Sequence, residues 1–595
     1  MTAASLTCRR LPVLAPDTRS LLLDALRPPP GMRMSRAVAL TFTLDLESLL
    51  VAPLAFAAHG LRESTDPIAV MEGVRRCADR IDVFCQAGQI AVPPTKSALL
   101  AFVEPMVHQV RRPRPGRLFH PKLWALRFED EATGETSLRL LVPSRNLTKD
   151  RSWDVCLRLE GYPGTRRVAG NKPLFDLLQR AMLLAVAPLP TDRQVAIEAL
   201  GEDLRRAEWE YPDGASAMFF HALGVPGAHR VDFAGTRHLV ISPFCTPDGL
   251  DRCAPSGKLA VVSRQETLDC LPEESLTGAE ALVVNELAGL PAEESPSSQD
   301  VLTGLHAKVY VVEKGHQARV LLGSANATAA AFDGNVELLV ELVGGRTQWG
   351  IGALLGPKAA FREILEPYER QTSADADPEA DRLRNLIRDL AAVPLLATVM
   401  SEADSYSIRL TSEDAVPDAP GVRITAQLHT RRGEATTLAA GQPVDAAFTG
   451  LTLVDITPFV IVTAEDSTGR EQAVVLATLV GDPEHRLDHV IAEQIDTPEK
   501  FLRFLLLMLG LGTEAAAAVS GGAGGAGAWR TGGTGIFELL LNALVDRPEQ
   551  LDDLARLVSR IEASGSSKRL LPPGFTELWK IITEARDAMA EEARA

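Results

Sequence analysis

A short polar pattern occurs twice in this chain, with its two histidines 186 residues apart. The first copy reads His120-Pro-Lys122 and is followed by Ser144-Arg-Asn146. The second copy reads His306-Ala-Lys308 and is followed by Ser324-Ala-Asn326. An internal repeat indicates that one supersecondary unit has been used twice. This repeat constrains the fold more than any other feature of the chain.

Each copy is expected to span two neighbouring strands. Apolar runs at 118–128 and 138–142 surround the first copy, with a polar turn at 130–134 between them. Runs at 305–312 and 318–322 surround the second copy. Because alternate residues of a strand point to the same face, the His and Lys of each copy are expected to share a face. A paired second strand would bring the Ser and Asn close to that face.

The residue types in the pattern suit a phosphate group. A lysine neutralises oxygen charge, serine and asparagine donate hydrogen bonds, and histidine can carry out proton transfer or nucleophilic attack. Gly323 precedes the second serine and allows the backbone to approach a ligand closely. The duplicated pattern therefore predicts phosphate-ester chemistry.

The paired motifs resemble those of the phospholipase D superfamily, whose members carry two H-x-K motifs, each with a downstream S-x-N or G-S-x-x-N element. The similarity covers residues 36–370 and extends to Asn335-Val-Glu337, which matches the N-x-E ending of the second motif. Asp154 is the looser counterpart of Glu337 in the first motif. The resemblance implies two pseudo-symmetric α/β lobes with one active site at their junction. It is closest to the nuclease-like branch, and the composition suggests a bacterial source.

The chain departs from the family pattern at three positions. The family has an Asp five residues after each Lys, where this chain has Arg127 and Glu313. Pro143 stands where the first motif usually has a Gly. Nuclease-type members often lack the Asp, so the departure favours them over lipid phospholipases.

The remaining apolar runs indicate an α/β fold. Strands are predicted at 80–85, 237–242, 258–262 and 281–284, with a helix at 171–187, and alternation of strands with helices indicates a mixed or parallel sheet. Beyond residue 370 we expect a linker at 372–380, a helix at 382–400, a small β domain at 406–479 and mainly helices after residue 487. The predicted domains are a first lobe 1–210, a second lobe 211–372, a linker with helix and small β domain 373–482, and a C-terminal helical region 483–595 with a Gly-rich linker at 520–535.

The resemblance implies a two-step covalent mechanism that needs no metal and no other cofactor. One histidine attacks phosphorus and forms a phosphohistidine, while the other protonates the leaving oxygen and later activates water. We predict His120 as the nucleophile and His306 as the general acid, oriented by the carboxylates of Glu337 and Asp154. The groups expected to hold the phosphate oxygens are Lys122, Lys308, Ser144, Asn146, Ser324 and Asn326.

The charge distribution bears on the substrate. The net charge is −17, yet residues 1–200 hold 27 Lys and Arg against 20 Asp and Glu, and the remaining residues hold 34 against 58. A run of arginines lies ahead of the first histidine, and a loop of this kind suits a nucleic-acid backbone. The predicted nucleic-acid contacts are Arg111, Arg112, Arg114, Arg117 and Arg145. The alternative is that these arginines form a solvated loop stiffened by proline.

We therefore predict a nuclease that cleaves DNA, and family analogy suggests a role in bacterial phage defence. The alternatives are a phospholipase or phosphatidyltransferase, and an inactive scaffold that only binds nucleic acid. The sequence shows no targeting or membrane-spanning segment, which predicts a cytoplasmic protein that does not bind membranes. Seven cysteines without CxxC spacing argue against a zinc site. Protein partners are expected to bind the C-terminal domains, and the oligomeric state is left open.

Overall fold

A computed structural model of the chain describes residues 22–57, 77–130, 132–149, 152–285, 304–371, 378–484 and 486–494. It also describes isolated positions between 497 and 571 and the segment 575–592. The predicted linker core at 372–377 and the Gly-rich stretch 520–535 lie outside the described residues, as does most of the predicted C-terminal helical region.

The described chain is a mixed α/β protein. The strands of the first two sheets are β1 Met32–Thr41, β2 Ile81–Gln86, β3 Val107–Val110, β4 Leu123–Asp130, β5 Thr136–Pro143, β6 Cys156–Pro163, β7 Ala207–Trp209, β8 Ala215–Leu223, β9 Arg237–Ile241, β10 Lys258–Ser263, β11 Glu280–Val284, β12 Val309–Lys314, β13 Gln317–Gly323, β14 Glu337–Gly345 and β15 Leu365–Pro367. The later strands are β16 Leu396–Ser401, β17 Tyr406–Ala415, β18 Arg423–Leu428, β19 Thr436–Leu438, β20 Pro443–Leu451, β21 Phe459–Glu465, β22 Arg470–Leu476 and β23 Thr478–Val480.

The α-helices of the described residues are mostly short. They are α1 Leu22–Leu26, α2 Leu46–Ala57, α3 Lys172–Leu183, α4 Thr191–Arg206, α5 Pro247–Cys253, α6 Gln265–Asp269, α7 Ala329–Asp333, α8 Arg346–Trp349, α9 Ile351–Leu355, α10 Ala360–Glu363, α11 Pro378–Ala391, α12 Arg486–Gln494 and α13 Phe575–Glu592.

The first two sheets share a strand order. The first sheet runs β3-β2-β1-β4-β5-β6-β7, and the second runs β15-β11-β10-β9-β12-β13-β14-β8. Strands β1, β2 and β3 pair in parallel, as do β9, β10 and β11, and in each sheet the next three strands of the chain continue antiparallel from β1 or from β9. Near-continuous apolar runs such as that of β1 suit central strands that are covered on both faces. The sequence repeat therefore corresponds to a repeated six-strand order.

One hydrophobic core joins the two sheets. It contains Leu40 and Phe84 from the first sheet, Ile241 and Val262 from the second, and apolar residues of α3 and α4. The opposite face of the second sheet packs against α5 and α7. Because side chains of both sheets fill one close-packed interior, the position of one sheet relative to the other is set by packing.

The residues from 396 to 480 form two four-stranded sheets, β20-β17-β16-β23 and β19-β18-β21-β22, in the range where the sequence predicts a small β domain. They enclose a core of their own. The outer face of β21 packs with the first sheet and with Phe575 and Trp579 of α13. Arg486 of α12 binds the buried Glu104 through two hydrogen bonds of 2.6 and 3.2 Å. Helices α12 and α13 therefore pack in the same core as one face of the first sheet.

Two predicted helices have different bounds in the structure. The helix predicted at 382–400 ends at Ala391, and the residues beyond Pro394 form strand β16, because proline lacks an amide hydrogen and disfavours helical backbone before it. The helix predicted at 171–187 ends at Leu183, and a second helix, α4, was missed.

A buried ionic cluster ties α4 to the first sheet. Asp82 on β2 is fully buried and forms an ion pair with Arg36 of β1. Its Oδ1 lies 2.9 Å from Nη1 of Arg193 on α4 and 2.8 Å from Nε2 of His108 on β3. Burial opposes ionisation of Asp82, but these three partners keep its pKa below the usual value. A buried carboxylate with three partners therefore joins four elements.

We expect Asp82→Ala to lower the free energy of unfolding by ~3–5 kcal/mol, because it leaves Arg36 and Arg193 buried without their common counter-ion. Urea or thermal unfolding of the full chain measures the effect. Asp445→Ala is the matched control, since its ion pair with Arg409 is exposed and should change the transition little. If both substitutions lower the free energy of unfolding equally, the buried cluster stabilises the protein no more than an exposed ion pair does.

Candidate active site at the junction of the two sheets

The two H-x-K motifs lie immediately before strands β4 and β12. Phe119 forms an isolated parallel bridge with Val336, and the amide of His120 donates to the Val336 carbonyl at 2.9 Å. In the same way Leu305 bridges Trp153, and the amide of His306 donates to the Trp153 carbonyl at 2.8 Å. We call these contacts the junction. Each motif is thus hydrogen-bonded to the opposite sheet.

This arrangement corrects the prediction that the motifs lie within strands. The predicted strand at 118–128 begins only at Leu123, and the predicted strand at 305–312 begins only at Val309. The physical reason is that the motif backbone pairs across the junction instead of within its own sheet. Pro121 also removes a ladder donor in the first copy. The expected proximity of His and Lys holds nevertheless, as the contacts below show.

His120 is held by a carboxylate from the second sheet. Its Nδ1 lies 3.0 Å from both carboxylate oxygens of Glu337, which is fully buried. Glu337 in turn accepts hydrogen bonds from the hydroxyl of Ser324 at 2.5 Å and from the amide of Asn335 at 3.3 Å. The ring of Phe42 packs on the imidazole at a centroid distance of 4.9 Å. The orientation of His120 is therefore fixed from both sheets.

His306 is held by a backbone carbonyl from the first sheet. Its Nδ1 lies 3.0 Å from the carbonyl oxygen of Ser144. Asp154, which occupies the position in the first sheet equivalent to Glu337, lies 4.0 Å from Nε of Arg145, and its charge partly opposes the lowering of the Lys308 pKa by burial. The two histidines therefore have different partners, even though the backbone around them repeats.

Each motif lysine contacts its own histidine. The Nζ of Lys122 lies 3.0 Å from Nε2 of His120, and the Nζ of Lys308 lies 3.1 Å from Nδ1 of His306. Lys308 also donates to the Ser144 carbonyl at 3.2 Å. Both lysines are buried. Burial lowers the pKa of Lys122 to about 7 and that of Lys308 well below its usual value. A bound anion would favour their charged forms.

The charge of each motif lysine acts on the histidine of the other motif. Burial lowers the pKa of His120 to about 4, and the charges of Lys122 and Lys308 act in the same direction, while Glu337 opposes them. Burial lowers the pKa of His306 to about 2, with contributions from Lys308 and Lys122. Each histidine thus responds to the lysine of the other motif.

The motif serines have a positioning role. The amide of Val155 donates to the Ser144 hydroxyl at 3.0 Å, and the amide of Leu338 donates to the Ser324 hydroxyl at 2.9 Å. These hydroxyls therefore anchor each motif strand to the strand that follows it.

The motif asparagines differ from the serines in having an unsatisfied polar atom. The Oδ1 atoms of Asn146 and Asn326 are buried and make no hydrogen bond within the protein. Buried polar atoms in proteins are normally paired. These two oxygens are acceptors, so each asparagine can still receive a hydrogen bond from a donor group.

Arg264 is a site residue that the sequence analysis missed. Its Nε donates to the Leu305 carbonyl at 2.8 Å, and its charge lowers the pKa of His306 and Lys308. It follows directly after β10, a parallel strand, and ligands in open α/β sheets bind at the carboxyl ends of such strands. The position of Arg264 just after a strand was the feature of the sequence that could have identified it as a site residue.

The predicted basic loop is tied to the protein. Arg111 donates to the Ala185 carbonyl at 2.9 Å, and Arg112 forms an ion pair with Asp389. Arg114 donates to the Asp333 carbonyl at 2.8 Å, and Arg145 donates to the Thr148 carbonyl at 2.6 Å. The side chain of Arg117 lies beside Gly334, in the second sheet's α7–β14 loop. Nucleic-acid binding by these arginines stays a prediction.

Two of the three positions that depart from the family pattern, Glu313 and Arg127, form ion pairs in the scaffold. Glu313 is buried, accepts a hydrogen bond from the amide of Ile351 at 2.8 Å and pairs with Arg237 at 3.1 Å. Arg127 pairs with Glu129 and Asp203 at 3.1 Å each. Neither position belongs to the junction.

Over the residues that the structure describes, no three His, Cys, Asp or Glu side chains group in a way that could hold a metal ion. Within the same residues, no helix has the length and apolar character needed to cross a membrane. Cys77, Cys85, Cys245 and Cys253 are buried thiols.

No family model matches the chain, and no curated protein matches it. Among solved structures, the chain is similar to the crystal structure of polyphosphate kinase from Porphyromonas gingivalis, with 10% sequence identity and a TM-score of 0.26. The alignment covers 54% of this chain and 44% of the other, so the chain spans less than half the length of that kinase. Likeness at this level identifies no activity, so the functional proposal rests on the side chains.

We expect both motif histidines to be neutral in the ligand-free protein between about pH 6 and 8, because burial lowers their pKa values below the ordinary range. NMR of selectively labelled histidine measures this. Glu337→Gln removes the group that raises the pKa of His120, so that pKa should fall further while His306 is unaffected. Titration of either histidine near 6.5 would contradict burial of the site.

Proposed function

We propose that the chain is a metal-independent phosphodiesterase of the phospholipase D type, and that it acts as a nuclease. One observation carries the proposal: two His–Lys pairs from separate sheets meet at one junction, with His120 held by Glu337 at 3.0 Å across it. Imidazole, ammonium and amide groups gathered there match the requirements of a phosphate in substitution at phosphorus. The repeated strand order supports two pseudo-symmetric lobes.

The contacts at the junction favour His120 as the nucleophile. Attack by its Nε2 on phosphorus places positive charge on the ring, and the Glu337 carboxylate at Nδ1 stabilises that charge. The P–O bond to the leaving group breaks as the new P–N bond forms. His306 gives its proton to the departing oxygen, then takes a proton from the water that cleaves the phosphohistidine. The products are an alcohol and a phosphate monoester.

For this role His306 must be protonated when substrate is bound. In the ligand-free protein burial disfavours its charged form, and the charges of Lys308 and Lys122 act in the same direction. A phosphodiester anion between the lysines offsets their charge and raises the pKa of His306. Substrate binding would thus supply the general acid, and the asparagine amides would hold the non-bridging oxygens.

DNA is the proposed substrate, since arginines surround the junction and a polyanion binds where positive charge is concentrated. Arg264 and Lys308 on the second sheet add to Arg114, Arg117 and Arg145. A role in bacterial phage defence stays a prediction from resemblance. The phospholipase and inactive-scaffold alternatives predict, respectively, lipid turnover with intact DNA, and binding of DNA that is never cut.

We expect wild-type protein to cleave DNA in excess EDTA, and His120→Asn to lower turnover about 10³-fold or more, because it removes the nucleophile. Gel assays of plasmid and single-stranded DNA measure turnover, and a quenched reaction with labelled DNA should trap a phosphohistidine in the wild type. His316→Ala is the control, since this exposed histidine lies in the turn between β12 and β13. Turnover of phosphatidylcholine with DNA left intact would refute the nuclease.

A further inference from the structure

An exposed aromatic ring lies beside the junction on the second sheet. Phe244 follows β9 and is 48% exposed, which is unusual for a phenylalanine. The guanidinium of Arg264 lies over this ring, with its Cζ 5.1 Å from the ring centroid. An arginine stacked on one side of a half-exposed ring holds the ring in place and leaves flat apolar surface uncovered.

Two observations place this ring next to His306. Arg264 donates from Nε to the carbonyl of Leu305, the residue before His306, at 2.8 Å. Strands β9 and β12 are antiparallel, with Ile241 opposite Val309. Phe244, which follows β9, and His306, which precedes β12, therefore lie at the same end of this strand pair. The ring therefore lies on the side of the site from which His306 would protonate the leaving group.

We propose that Phe244, fixed by Arg264, is a stacking platform for an unpaired nucleobase of the strand on the leaving-group side of the scissile phosphate. The proposal rests on the proposed nuclease function and names its substrate class as single-stranded nucleic acid. A base in a duplex has no free face to offer, whereas an unpaired base does. Arg264 adds positive charge for the neighbouring phosphate, and the pair resembles the aromatic and arginine surfaces that bind single strands.

The test compares a fluorescein-labelled single-stranded oligodeoxynucleotide with an abasic strand of the same length, both bound to the full chain carrying His120→Asn. Fluorescence anisotropy gives the dissociation constants. Adding Phe244→Ala should weaken binding of the base-containing strand about tenfold, the cost of one lost stacking contact, and leave the abasic strand within about twofold. Phe244→Trp should retain binding.

Phe219→Ala is the matched control, because Phe219 is 47% exposed on the same sheet but lies on β8, opposite Glu341 and away from the junction. It should bind both strands normally. Equal binding of the base-containing strand with and without Phe244→Ala would overturn the platform, as would an equal loss for both strands, which marks a structural role. If Phe244→Ala weakens binding to phosphatidylcholine vesicles and to neither strand, the ring binds lipid and the platform is wrong.

Turnover separates this inference from the nuclease proposal. With His120 intact, Phe244→Ala should raise KM for the base-containing strand and leave kcat and cleavage of the abasic strand unchanged. If the wild type cleaves neither strand, the nuclease proposal fails, and the binding comparison still decides whether the platform exists. If the wild type cleaves both with the same KM, the nuclease stands and the platform is wrong.

Discussion

The contact between His120 and Glu337 is the interaction on which the site depends. The two residues lie 217 positions apart, one before β4 and the other at the start of β14, and their side chains meet at 3.0 Å in a buried space. A buried carboxylate is costly unless it is hydrogen-bonded, and Glu337 is held by Ser324 and Asn335 as well. The polar site therefore requires both sheets to be in place.

Side-chain packing holds the two sheets in their relative position. The core shared by the two sheets fixes their relative position, and the parallel bridges Phe119–Val336 and Trp153–Leu305 align the motif backbones across the junction. On its other face, the first sheet shares a second core with strand β21 and with helices α12 and α13. These later elements therefore stabilise the first sheet. The two repeated units form the junction.

Burial also sets the chemistry of the site. It lowers the pKa of both histidines and both motif lysines, so each of these groups is charged less readily than in water. An anion that enters between the lysines reverses this, because its charge favours their protonated forms. The partners are asymmetric, a carboxylate at His120 and a backbone carbonyl at His306, so two identical side chains lie in different environments.

The sequence by itself determined the repeat, the residue types that meet in the site and the strands that flank the two motifs, because these depend on local spacing and apolar periodicity. It also indicated Glu337 through the N-x-E ending. Three features were not predicted from the sequence. The motifs lie outside their strands, His306 contacts the Ser144 carbonyl, and Phe244 and Arg264 lie beside the site. Each depends on contacts between segments far apart in the chain, such as Ser144 with His306. Only the packing of one sheet against the other brings such groups together, and no local pattern records it.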